Sequence, residues 1–201
     1  MSRSLKIGCV VIGVLVVIVL GMYAYVKNTY NGFVTLEESV NQAWAQVQNV
    51  YQRRSDLIPN LVETVRGYAE HERDTFTQVT EARAKAGGLT QIRAEDLTPE
   101  TMQQFQQAQD GLGQALQRLM VVVERYPELK ANQNFINLQD ELAGTENRIS
   151  VERMRFNESV QAFNSTVRQF PQNIIANIFG FGQKPYFEAD RGAAEAPKVQ
   201  F

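Results

Sequence analysis

The chain has one cysteine and one histidine in 201 residues. A lone Cys9 excludes a disulfide within the chain, and a lone His71 excludes a metal site built from several histidines. Proline is scarce at 6 residues, so few positions interrupt a helix. There is no surplus of positive charge: 20 Lys and Arg face 22 Asp and Glu, a formal net charge of −2. Arg3, Lys6 and Lys27 lie in the opening stretch, which has no acid. The remainder is therefore mildly acidic, which argues against a nucleic-acid partner whose phosphates need a basic surface. The length suits one domain with an appendage.

Charge is missing altogether from residues 7–26, IGCVVIGVLVVIVLGMYAYV. As a helix this run is about 30 Å long and matches the hydrocarbon core of a bilayer. Tyr23 and Tyr25 sit at one end, where amphipathic rings favour the interface, and Lys6 and Lys27 bracket the run. A cleaved signal peptide is the alternative. The run is long for one, and Met22-Tyr23-Ala24 is a poor small-x-small cleavage site. Cys9 falls near the start of the run, where a lipoprotein cysteine does not. The pattern predicts an uncleaved transmembrane anchor from Ile7 to Val26. The positive charges flanking its short N-terminal side place that end in the cytoplasm and the body outside.

Beyond the anchor, apolar residues recur at helix period: Leu36, Val40, Ala43, Val47 and Val50, then Leu57, Leu61, Val65, Tyr68, Phe76 and Val79. Pro59 interrupts this pattern in one of two ways. A helix restarts at Ser55 or Asp56 with Pro59 in its first turn, or one helix runs through and kinks. Gly87-Gly88 is a stop. Thr98-Pro99-Glu100 reads as N-cap, first-position proline and first-turn acid. The helix it opens carries Met102, Phe105, Leu112, Leu116, Leu119 and Val123, and stops near Tyr126-Pro127.

The last long helix has the most regular spacing. Phe135, Leu138, Leu142, Thr145, Ile149, Glu152, Phe156, Ser159 or Val160, Phe163, Val167 and Phe170 alternate steps of three and four, a coiled-coil-like seam. Stripes of this length are buried only against other helices. The expected fold is all-α: an N-terminal transmembrane helix followed by an elongated bundle of long helices. The divisions are 1–29 for flank and anchor, 30–170 for the bundle, 171–187 for a short apolar segment and 188–201 for a flexible tail.

Arg53, Arg54, Asp56 and Asn60 form a polar knot among apolar neighbours. A helix-junction network outweighs an anion site here, with an Arg paired to a carboxylate such as Glu146 or Glu152, because half-buried charge must be paired. Arg148, Asn157 and Asn164 join this structural polar network, and a few polar residues beside a seam fix helix register. Trp44 is read as core packing over an interface aromatic. His71 shares no helix face with Glu70 or Glu72. Gly87-Gly88 and Gly180-x-Gly182 follow helices and so do not cradle phosphate. No catalytic, cofactor-binding or metal-binding set can be assembled, and no small-molecule substrate is expected. Ile174, Ile175, Ile178, Phe179, Phe181, Tyr186 and Phe187 exceed what a short terminal helix needs. With the terminal Phe201 they are candidates for self- or partner-association, with docking on the chain's own bundle or the bilayer surface as alternatives.

Four stretches together resemble the LemA family of bacterial membrane proteins. These are YNGFVTLEESVNQAWAQV (30–47), RRSDLIPNLVETVRGYAEHE (53–72), GTENRISVERMRFNESVQAFN (144–164) and FPQNIIANIFGFGQKPYFE (170–188). The resemblance implies one N-terminal transmembrane helix and an up-and-down four-helix bundle, and it favours a turn at Pro59. It implies no activity, since the family has no established catalytic or ligand-binding residues to carry over. LemA-like proteins are linked with a membrane zinc metalloprotease of the HtpX type, and a relative acts in magnetosome membrane formation. Descriptions of the family place the body in the cytoplasm, against the charge argument above.

These readings converge on a non-enzymatic, membrane-anchored helical scaffold or adaptor in the bacterial cytoplasmic (inner) membrane, with its bundle on the periplasmic side. Its expected partners are membrane lipid, further copies of itself, and a membrane metalloprotease or other envelope proteins, with no cofactor. The alternative is a regulatory or sensory subunit acting on such a protease in envelope quality control.

Overall fold

The computed structural model describes the backbone of residues 3–188, with the side chains of Ile7, Cys9 and residues 11–188. Among these residues there are helices and turns but no strand. The first helix, α1, runs from Arg3 to Arg66. It contains the apolar run, whose described side chains are exposed except for the half-buried Val26, and it is long and apolar enough to cross a membrane. Further along α1, Val40, Trp44, Val47, Tyr51, Arg54, Ile58, Leu61 and Val65 are all buried. Their alternating steps of four and three make one heptad stripe. Ala43 and Val50, expected on this stripe, are only half-buried. An unbroken helix keeps a single phase from Val40 to Val65, and that phase passes through Trp44 and Tyr51 instead.

Pro59 lies inside α1, so the expected turn does not form. Proline has no N–H to give the carbonyl four residues back, that of Ser55. Arg83 supplies the missing donor, its Nε reaching the Ser55 oxygen at 2.8 Å. The proline itself faces outward. Asp56 caps no helix; it is exposed and accepts a bond from Gln52 Nε2 at 2.7 Å.

Helix α2 (Arg73–Leu89) continues through Gly87-Gly88, expected as its end, and closes at Thr90, whose hydroxyl donates to the Ala86 carbonyl at 3.0 Å. A 3-10 turn (Ala94–Asp96) leads to α3 (Pro99–Val123). Thr98 caps α3 as its sequence predicts: Thr98 Oγ1 accepts from Thr101 N at 3.2 Å and Thr101 Oγ1 accepts from Thr98 N at 2.8 Å. Thr101 takes the place of the usual Glu in this reciprocal box. The backbone N–H of Glu100 itself, and then the Thr98 hydroxyl, hold the Glu100 carboxyl below the usual range. A single-turn α4 (Pro127–Lys130) precedes α5 (Gln133–Arg168), and α6 spans Gln172–Phe179. The α5 seam is buried from Phe135 to Val167, with Leu138, Glu152 and Ser159 only partly covered. Phe170, its expected last member, is 80% exposed because the helix ends two residues earlier.

The chain divides into two units. One comprises Val40–Val160 and the described residues from Lys184 onward. In it, α2 is antiparallel to α1, since Arg66 lies over the Phe76 ring, Arg83 meets Ser55 and Gln48 meets Thr90. Helix α3 runs parallel to α1, with Tyr51 on Phe105 and Arg54 on Gln109. Helix α5 returns antiparallel, with Trp44 on Phe156 and Arg54 on Glu146. This is an up-and-down bundle of four helices. The other unit holds the described residues of Met1–Ser39 with Gln161–Gln183. Its core contains Phe33, Phe163, Val167, Ile175 and Ala176.

Candidate functional site

The heptad stripes on α1, α3 and α5 each admit a polar residue at a core position, and those of α1 and α3 meet. On α1 it is Arg54, 4% exposed; on α3, Gln109 replaces an apolar member between Phe105 and Leu112; on α5 it is Thr145. Arg54 donates through one terminal nitrogen to Glu146 at 2.7 Å and through the other to the Gln109 side-chain oxygen. Its guanidinium carbon lies 5.1 Å from the centre of the Tyr51 ring. Arg54 Nε is buried without a hydrogen-bond partner. A groove of about 910 Å³ opens alongside, lined in part by Tyr51, Gln109, Gln114, Glu146 and Arg153. Burial raises the Tyr51 phenol above its ordinary value, against the opposing pull of the Arg153 and Arg54 charges.

The structure gathers only part of the expected polar network. Arg54 and Glu146 join, together with Gln109, which sequence reading overlooked. Gln109's position on the stripe of Met102, Phe105, Leu112 and Leu119 was the available signal. Arg53 pairs with Glu141 at the surface. Asn60 and Arg148 are exposed, and the Asn60 carbonyl accepts from the Thr64 hydroxyl. Asn164 is buried in its own unit. His71 is exposed, while its neighbour Glu72 pairs with Arg125 at 2.7 Å. Among the described residues no group of three or more His, Cys, Asp or Glu could hold a metal ion.

Asn157 has a different task. Its Oδ1 accepts from Phe187 N at 2.9 Å and its Nδ2 donates to Phe187 O at 3.1 Å. Arg153 and Gln106 both donate to the Glu188 carbonyl. Arg153 also covers the Phe187 ring at 4.9 Å. Phe187 is thereby fastened into a cluster with Trp44, Phe105 and Phe156. Trp44 is core, as read, and donates through Nε1 to the Ile92 carbonyl at 2.8 Å, while Gln48 also bonds this loop.

Among the association candidates, Phe187 and Ile175 are consumed by the chain's own packing, and Phe181 is half-covered by Phe33 at 5.1 Å between centroids. Ile175 and Phe187 belong to the chain's own cores, and Phe181 is partly accessible. Ile174, Ile178, Phe179 and Tyr186 remain exposed, and Phe201 lies outside the described residues.

The helix content, the four-helix bundle and the exposed apolar run define a membrane-associated all-α protein with one candidate span, near the N-terminus, among the described residues. Residues 43–201 match the LemA family, and the chain belongs to it. It is similar to Magnetosome protein MamQ of Magnetospirillum gryphiswaldense, 27% identical over 207 residues that cover 92% of this chain and 75% of the relative. Magnetosome protein MamQ 2 of Paramagnetospirillum magneticum is 27% identical over 204 residues, with the same coverage. Protein LemA of Metamycoplasma hominis is 23% identical over 154 residues, 76% of this chain and 66% of the relative.

Proposed function

We propose that this protein is a non-enzymatic scaffold of the bacterial cytoplasmic membrane that self-associates and organises membrane partners from the periplasmic side. The observation that carries this reading is the make-up of α1: one helix, Arg3–Arg66, supplies both the exposed apolar span and a buried wall of the bundle. Confinement of such chains to a membrane raises their effective concentration, so modest contacts suffice for assembly. Val151 and Met154, three apart on α5 and exposed, offer such a contact.

The test is the mass of the full-length protein in mild detergent and in nanodiscs excised from the native membrane. A discrete oligomer in both supports the scaffold; a monomer in both removes self-association. Orientation is tested with Ser39→Cys in a Cys9→Ser background. A membrane-impermeant maleimide should label spheroplasts, and protection until lysis would put the bundle in the cytoplasm.

The regulatory reading, a subunit biasing a membrane protease, draws on the groove beside Arg54. A monomer that enlarges only when a protease is co-expressed would favour it.

A further inference from the structure

We infer that α6 is an interfacial helix, lying in the surface of the same bilayer that the N-terminal span crosses. Its outward face is apolar, with Ile174 and Ile178, four residues apart, 51% and 71% exposed, and Phe170 beside them in the preceding turn. Its inward face is apolar too, since Ile175 and Ala176 are buried in the unit's own core. A helix apolar on both faces needs an apolar neighbour on both. Residues 169–183, between Arg168 and Lys184, carry no charge, so nothing in this segment resists entry into the headgroup region. Asn177 is exposed on one edge of α6 and provides a polar margin, while Asn173, one turn earlier, is half-buried.

The level of α6 relative to the membrane follows from ring contacts within this unit. Tyr30 meets Phe179 at 5.0 Å and Phe181 at 5.5 Å, both edge-on. Tyr30 comes four residues after Val26, where the apolar run ends, so its backbone is about 6 Å beyond the hydrocarbon. Interfacial helices bury their apolar face roughly 5–10 Å into the boundary between headgroups and acyl chains. Phe179, at the end of α6, is therefore held at headgroup level, just outside the apolar run, from which an apolar face reaches the acyl boundary. Lipid is the apolar medium present at that level in every copy of the protein. The contact does not depend on self-association.

The experiment uses full-length protein with Cys9→Ser, labelled with bimane at Ile178→Cys and separately at Ile174→Cys, in nanodiscs loaded with one copy each. The discs contain phosphatidylethanolamine, phosphatidylglycerol and a phosphatidylcholine carrying a nitroxide at a shallow acyl carbon. Both positions are exposed, so the labels leave the fold intact, which an unchanged melting curve verifies. Bimane at 178 should shift to the blue and lose about half its intensity to the nitroxide, as an immersed side chain does. A label at Ser39→Cys, thirteen residues past the apolar run on the same helix, should lose almost none. Emission at 174 and 178 as water-like as at 39 would overturn the inference. So would a blue shift that appears only in discs holding two copies, which would make this face a subunit contact.

Discussion

At the scale of the residue, Arg54 is the charge whose environment leaves least freedom. Its carboxylate partner is half-exposed while the guanidinium is not, so removal of either partner has unequal consequences. Arg54→Ala strands Gln109 and opens a void in the bundle; an unfolding free-energy loss of about 3 kcal/mol is expected in detergent-solubilised protein. Glu146→Ala leaves Arg54 its Gln109 and Tyr51 contacts and should cost about 1 kcal/mol more than a surface substitution. Equal effects would show that the pair does not have this asymmetry. Tyr51 beside it carries a pH dependence. Burial raises its folded pKa above the unfolded value near 10. The stability it contributes is thus complete below the unfolded pKa and is lost as pH rises through the folded one, because the unfolded phenol ionises first. Tyr51→Phe should flatten the decline in melting temperature above about pH 10. Superposable profiles would assign that decline to other groups.

At the scale of the element, α1 survives an internal proline because another helix replaces the lost bond. Arg83→Ala should remove about 1.5 kcal/mol, the worth of a hydrogen bond to a charged donor. In a Pro59→Ala background the same change should have little effect, since the alanine offers its own N–H to the Ser55 carbonyl. Additive effects in this double-mutant cycle would refute the substitution of one donor for the other. The C-terminal segment is held in a comparable way. Asn157→Ala breaks both of its bonds to the Phe187 backbone and should release that amide to hydrogen exchange at least about ten-fold faster, a loss of ~1.4 kcal/mol in local opening. The amide of Phe156, inside α5, should change far less.

At the scale of the whole molecule, the surface available for assembly is smaller than the count of apolar residues suggests. The α5 seam is used within the chain, as are Ile175 and Phe187. What remains in the bundle unit includes Val121, Val151 and Met154. Val151→Glu with Met154→Glu should abolish the proposed self-association and leave the melting temperature within a few degrees of the parent, since exposed substitutions change stability by only about 0.5 kcal/mol each. An oligomer that persists would move the contact elsewhere.

Helix content, the candidate span, the cap at Thr98 and the stripes of α3 and α5 were legible from residue order, because each depends on local period or local chemistry. The four-helix bundle followed from the family resemblance, and the break between α1 and α2 after Arg66 was not read. A charge-free run, a threonine before proline and a three-four repeat carry their meaning within a turn or two of helix. The course through Pro59 was not legible, since the donor that rescues the Ser55 carbonyl comes from Arg83, on another helix. Nor were Gln109 as partner to Arg54 or Asn157 as a clamp on Phe187. Those pairings join residues distant in sequence, and only the packing of the helices brings them within hydrogen-bond reach. The apolar C-terminal residues show the same division: composition marked them as a group, and burial separated those that complete the core from those that face outward.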